Sequence, residues 1–371
     1  MNISTVQSVP GARRGARWAV AAAAVLLTGC GAEVAPPALP SGDPAPPGAS
    51  FAYRTGNELA VVRGTETLRA PGSFGYAAGG AAFTADGRVA FTVESGSKTL
   101  VAVDVRDGTV RRVDCGCTDA VAVRDGVVAW WHDPGKVMSL DLADAAAVPA
   151  VSRTVDFPEG EDGARVPAGE VRILAATPTH ILLARVESRG LWWEKSHLYV
   201  IGTVSSMRAL GRIPEVDAQV SATPGPDGNS FLLVGTAGRT ASCGTAHAAV
   251  LNAADGAIEP LPALPGQCSS VSFPRWGADG VLTVAARQWA DSATAAVNAD
   301  RLRREGDSWV PVADHPVVDV LRQDPAVVEV IASGEVGRSA DVPHGDLFIE
   351  RAGSRVQLAT GVMSLSAPPS S

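Results

Sequence analysis

The chain has 371 residues, a formal net charge of −8, 46% hydrophobic residues and only 5% aromatic ones. An acidic balance of this size excludes nucleic acid and anionic lipid surfaces as electrostatic partners. The length allows one large domain or two small ones once any leader is set aside.

Residues 1–17 carry Arg13, Arg14 and Arg17 and no acid, and the apolar run "WAVAAAAVLL" (Trp18–Leu27) follows. That run is too short for a resident membrane helix. A basic segment, a short apolar segment and small residues ahead of a cut describe an export signal. The ending Leu27-Thr28-Gly29-Cys30 resembles a bacterial lipobox, which implies cleavage after residue 29 and diacylation of Cys30. Two acyl chains hold a protein stably on a membrane, where one does so only marginally. A plain secretory signal is the alternative. The general export route is expected, with the twin-arginine route left open by Arg13-Arg14. Loss of the three arginines on cleavage moves the net charge from −8 to −11. Residues 30–50, "CGAEVAPPALPSGDPAPPGAS", are rich in Pro, Ala and Gly and read as an extended tether. The mature protein is thus expected on the outer face of the cytoplasmic membrane.

From residue 51 onward, short Val, Leu and Ala runs alternate with Gly, Asp, Asn and Pro, the pattern of strands and turns. "FAYRTGNELAVVRGTETLRAP" (Phe51–Pro71) supplies three strands without an innermost partner. "AAFTADGRVAFTVESGSKTLVAVDVRDGTVRRV" (Ala81–Val113) reads as four strands with Asp86-Gly87 and Asp107-Gly108 at its tight turns. Comparable units begin at Asp119, Val171, Asp217, Ser270 and Val317, roughly 40–50 residues apart, the period of a β-propeller. "GVMSLSAP" (Gly361–Pro368) is one strand left over, and with the first three it makes a composite blade that closes the ring. The expected fold is therefore an all-β propeller of seven four-stranded blades over residues 51–367, with 368–371 a tail. Six or eight blades stay open because residues 143–170 and 290–312 are poorly patterned.

The unit "TADGRVAF…TLVAVDV…GTVRRV" resembles the repeats of TolB-like and WD-type bacterial β-propellers. With the lipobox, the likeness is to a propeller lipoprotein, and the excess of arginine over lysine looks actinobacterial. The resemblance implies periplasmic or surface scaffolding and binding, and it carries no catalytic residues across, since fold does not specify activity. Ser95-Gly96-Ser97-Lys98 matches the spacing of a serine acylase motif but falls in a hairpin loop rather than at a helix start. The six histidines lack metal-ligand spacing, and no cofactor cradle is present. The acidic stretch Pro158–Glu170 reads as a solvated loop, with calcium binding through Glu159, Glu161 and Asp162 as the alternative.

Aromatic residues give the candidate binding rim. Trp131 ends the second strand of its blade, Trp192 and Trp193 fall in the matching loop of the next, and Trp289 ends a second strand two blades on. Loops joining second to third strands open on the face that carries the blade-to-blade connections. The repeat therefore gathers these rings with His132, Lys136 and Lys195 on one rim, a combination that recurs in recognition surfaces. The alternative is that the rings pack between blades. A non-enzymatic, lipid-anchored monomer follows, binding a cell-envelope protein, peptide or glycan through its loop face. The competing reading is a propeller hydrolase or dehydrogenase, with carboxylates such as Asp119, Asp217 and Asp319 at the central channel. A structural or sensory lipoprotein is a third.

With Cys30 assigned to lipid, four cysteines remain for an oxidising compartment. Cys243 and Cys268 fall on the same face and are expected to bond. Cys115 and Cys117, two residues apart in a blade connection, either bond to each other or stay reduced. A redox or metal role competes there with a local staple.

Overall fold

The computed structural model describes residues 50–75, 79–158, 170–189, 194–202, 207–213, 216, 218–238, 243–266, 268–277, 280–289, 298–323, 326–332, 344–351 and 353–369. These form seven four-stranded antiparallel sheets, the blades of a seven-bladed β-propeller. Blades 1 to 6 span residues 82–114, 120–154, 171–211, 218–260, 268–311 and 317–362. Each runs from its first strand at the channel to its fourth at the outside.

Blade 7 is composite. Strand Ser364–Ser366 lies innermost and pairs antiparallel with Ser50–Arg54, with Tyr53 opposite Leu365. Strands Glu58–Arg63 and Glu66–Pro71 complete the blade. The innermost strand is shorter than the expected Gly361–Pro368, because Gly361 and Val362 still belong to the outer strand of blade 6 and Met363 breaks between them. Ring closure removes the free sheet edge that an open propeller would present.

Local chemistry explains the hairpins. Gly87 and Gly108 take φ of +69° and +74°, the left-handed region that a residue with Cβ avoids. The aspartate before each glycine caps the turn: Asp86 Oδ1 accepts from Arg88 N at 3.1 Å and Asp107 Oδ1 from Thr109 N at 2.9 Å. Middle strands such as Val89–Val93 are buried at every residue, because each blade is covered by a neighbour on both faces. The core is accordingly a series of layers between blades. Phe91, Leu100, Val128 and Trp130 fill the layer between blades 1 and 2, and Leu182, Leu198, Phe231 and Leu251 that between blades 3 and 4. No helix among the described residues is long and apolar enough to cross a membrane.

Candidate functional site at the loop face and channel

Antiparallel order puts the blade connections and the loops between second and third strands on one face of the ring. Both disulfides lie there. Cys115 bonds to Cys117 within the connection from blade 1 to blade 2. Gly116 between them takes φ of +61°, and a Cβ on it would lie 3.9 Å from His132 Nδ1, so this connection abuts the loop of blade 2. The two cysteines are only 5% and 2% exposed and pack in the layer with Leu100 and Trp130. Cys243 bonds to Cys268 across a sequence separation of 25. Cys268 is the first residue of blade 5 rather than part of the segment leaving blade 4, so this bond ties two blades together.

Among the rim residues, Trp131 departs from the ligand-facing expectation. It is 9% exposed, its ring centroid lies 5.6 Å from that of Phe157, and its Nε1 donates to Asp133 Oδ1 at 2.7 Å. Phe157 stands edge-on to Tyr199 at 4.9 Å, and the Arg185 guanidinium lies 4.7 Å from the Phe157 centroid. The cluster cements blade 2 to blade 3, and Trp130 serves the opposite face of its strand in the same way. Both rings are core because a blade has no solvent face at that depth. His132 and Lys136 stand opposite each other at the strand ends and are exposed. Lys195 is half-buried at the equivalent end of blade 3. Trp192 and Trp193 lie outside the described residues. Trp289 pairs by its backbone with Cys268 in blade 5, three blades from His132, and its side chain lies outside the described residues.

The channel carries charged side chains in pairs. Asp119, at the entry to blade 2, meets Arg172 Nε of blade 3 at 3.4 Å. Asp319 of blade 6 is 1% exposed and accepts from both terminal nitrogens of Arg275 of blade 5 at 3.0 Å. It also accepts from Val320 N at 2.9 Å and Leu365 N at 3.2 Å. Arg275 donates to Leu365 O of blade 7 at 2.6 Å, so one guanidinium links three blades. Arg301 is 1% exposed, with Nη1 2.7 Å from Phe273 O and 3.6 Å from Asp319 Oδ1. Burial pulls its guanidinium down to about 10, against the attraction of Asp319. Asp217 lies outside the described residues.

Phe273 sits at a bulge between Ser272 and Arg275 with φ of +48°, a costly conformation for an aromatic residue. A Cβ on Gly80 would meet Phe273 Cε1 at 3.6 Å and Ser364 Cβ at 3.5 Å. The ring edge of Phe273 therefore comes close to Gly80, in the connection entering blade 1, where Ser364 of blade 7 also approaches. Sequence reasoning missed Phe273, Arg275 and Arg301. Their signal, a bulky run "FPRW" in an otherwise small-residue inner strand and an arginine at an inward position, carries no information about which blade lies opposite.

Ser95 to Lys98 form an exposed turn in which Ser97 Oγ donates to Glu94 Oε2 at 2.5 Å. Residues 159–169, with Glu159, Glu161 and Asp162, lie outside the described residues. Among the described residues no three His, Cys, Asp or Glu side chains gather as a metal site.

No protein family matches the chain by sequence, and no curated protein does. Solved β-propellers resemble it in fold. The propeller domain of the Trilobed protease from Pyrococcus furiosus is 11% identical with a TM-score of 0.47, over 86% of this chain and 97% of that one. TolB from Acinetobacter baumannii is 13% identical with a TM-score of 0.44, over 86% of this chain and 66% of that one. Acylaminoacyl peptidase from Pyrococcus horikoshii is 9% identical with a TM-score of 0.46, over 81% of this chain and 47% of that one. At these identities the likeness concerns the fold alone.

Proposed function

We propose that the protein is a lipid-anchored, extracytoplasmic β-propeller that binds a cell-envelope protein, peptide or glycan through its loop face, without catalysing a reaction. The observation that carries this reading is the build of that face. Two disulfides pin its connections, and exposed His132 and Lys136 stand beside one of them over a buried aromatic layer. A face held rigid before contact loses less entropy on binding, and the exposed Lys136 ammonium suits an acidic or polar partner. The pairing of Asp119 and Asp319 with arginines of neighbouring blades supports the non-enzymatic side, because a general acid or base at the channel needs a carboxylate not committed to a structural ion pair.

The binding reading is tested by comparing proteins recovered with wild type and with His132→Ala/Lys136→Ala or Trp192→Ala/Trp193→Ala from solubilised membranes. Loss of a shared partner is expected, and an unchanged set refutes the rim. For the anchor, Cys30→Ser should release the protein from membranes. Continued membrane retention of that variant refutes lipidation at Cys30.

A further inference from the structure

Among the described residues three large apolar side chains are exposed: Val110 at 40%, Val148 at 75% and Val151 at 50%. The last two flank the start of one strand, Ala150–Thr154, the outermost of blade 2. From Ala145 to Ser152 every residue except half-buried Ala147 is exposed, and none is charged. Consecutive residues of a strand point to opposite faces, so exposure of both Ala150 and Val151 means that neither neighbouring blade covers this edge. The segment entering the strand is held in place: Arg111 of blade 1 donates to Asp141 O at 3.2 Å and to Asp144 O at 2.8 Å.

An outermost strand presents a row of backbone N–H and C=O groups that invites a further strand, and proteins blunt such edges with charge, proline or shortness. The other six blades follow that rule. Exposed charges stand on four of their outer strands, at Glu66, Arg112, Glu259 and Arg355. In blade 5 the strand has four residues and ends in Pro311, and in blade 3 it exposes only Ala209. The outer strand of blade 2 exposes neither charge nor proline, and its one charged residue, Arg153, is half-buried and already engaged. A register shift between Val137 and Met138 gives a bulge at Ser152, whose hydroxyl turns back to donate to Val137 O at 3.0 Å. The bulge adds twist and leaves Ala150 and Val151 in regular register with Ser139 and Met138.

We infer that the outer edge of blade 2 takes up an extended, uncharged, apolar segment of a partner protein as a fifth strand. The backbone row selects an extended chain, and the uncharged run from Ala145 to Ser152 selects one without charges at its centre. A second copy of this chain would pair antiparallel only with its propeller inverted, so two copies anchored in one membrane would present opposite faces. The choice of a partner protein over a second copy rests on the anchor proposed above; the strand addition itself does not.

The test uses the full chain in mild detergent and, as probe, a blocked heptapeptide of alternating valine and threonine. Hydrogen exchange of the exposed amides within Ala150–Thr154, followed by NMR, reads its binding. A dissociation constant of about 1 mM or tighter is expected, with exchange slowed about threefold at twice that concentration. The same peptide N-methylated at every residue has no backbone donor and is expected to bind at least about tenfold more weakly. Val151→Lys, at an exposed position, is expected to weaken the unmodified peptide about tenfold without altering the melting temperature. Ala209→Lys, on the outer strand of blade 3, is expected to leave its binding unchanged. Equal binding of the methylated peptide, full affinity in Val151→Lys, equal loss in Ala209→Lys, or no slowing within Ala150–Thr154 would each overturn the inference. Light scattering is expected to show a monomer without peptide; a dimer that Val151→Lys abolishes would overturn the choice of partner and assign the edge to a second copy. Cys30→Ser, by contrast, tests the anchor alone.

Discussion

Substituting Asp319 by asparagine removes the charge on which the ring closure converges. The carboxylate faces Arg275 at 3.0 Å and Arg301 at 3.6 Å, and it accepts two further backbone hydrogen bonds. Two unit charges 3.6 Å apart attract by about 4–5 kcal/mol at an effective dielectric of about 20. Much of that is offset by the desolvation already spent in burying the groups. The observable cost is therefore that of stranding a buried guanidinium, about 3–5 kcal/mol when one partner of a buried pair is removed. For a domain of this size each kcal/mol moves the melting temperature by about 2 °C, so Asp319→Asn should melt about 6–10 °C below wild type. Circular dichroism on heating, with reversibility checked by a second scan, reads the change. Asp314→Asn, at a fully exposed side chain, is the control and should move it little. Adding Arg301→Met should restore part of the loss, because apolar replacement of a buried ion pair is often neutral. A shift within about 1 °C of wild type would refute the claim that this network holds blades 5, 6 and 7 together.

The two disulfides should differ in worth. Chain entropy gives about 1.6 kcal/mol for a closure of Cys115–Cys117 length and about 3.5 kcal/mol for the 25-residue separation of Cys243 and Cys268. Urea denaturation of the two paired Cys→Ala variants would contradict this ordering if the costs came out equal or reversed. Trp131→Ala should cost about 3–5 kcal/mol through lost packing against Phe157; unchanged stability in the same assay would restore Trp131 to the exposed rim. His315 is held above its ordinary 6.5 by a hydrogen bond to Asp314 and by the Glu329 carboxylate, against a small burial penalty. Its raised folded value means that its contribution is complete below about pH 6.5 and is lost as pH rises through the folded value. Since the ring is 37% exposed the effect is small, and NMR titration should place its midpoint above that of an unstructured histidine; a midpoint at or below it would contradict the pairing.

The architecture was legible because a propeller repeats its punctuation. Asp86-Gly87 and Asp107-Gly108 mark turns whose positive φ the structure shows, and the leftover strands at the two ends have only each other to pair with. The candidate site was less legible, for a physical reason. Alternation along a strand tells inward from outward only when one face meets solvent, whereas Trp130 and Trp131 lie in a blade covered on both sides. The arginine partners of Asp119 and Asp319 come from neighbouring blades, and no local pattern states the register between one blade and the next.

The claim that the loop face is the binding surface is tested most directly by quantitative crosslinking in intact membranes, followed by mass spectrometry. Wild type would be set against His132→Ala/Lys136→Ala on that face and Arg124→Ala on the opposite one. A crosslinked envelope partner is expected to be lost from the loop-face variant and retained in the other. The same partner, at the same yield, in all three proteins would contradict it.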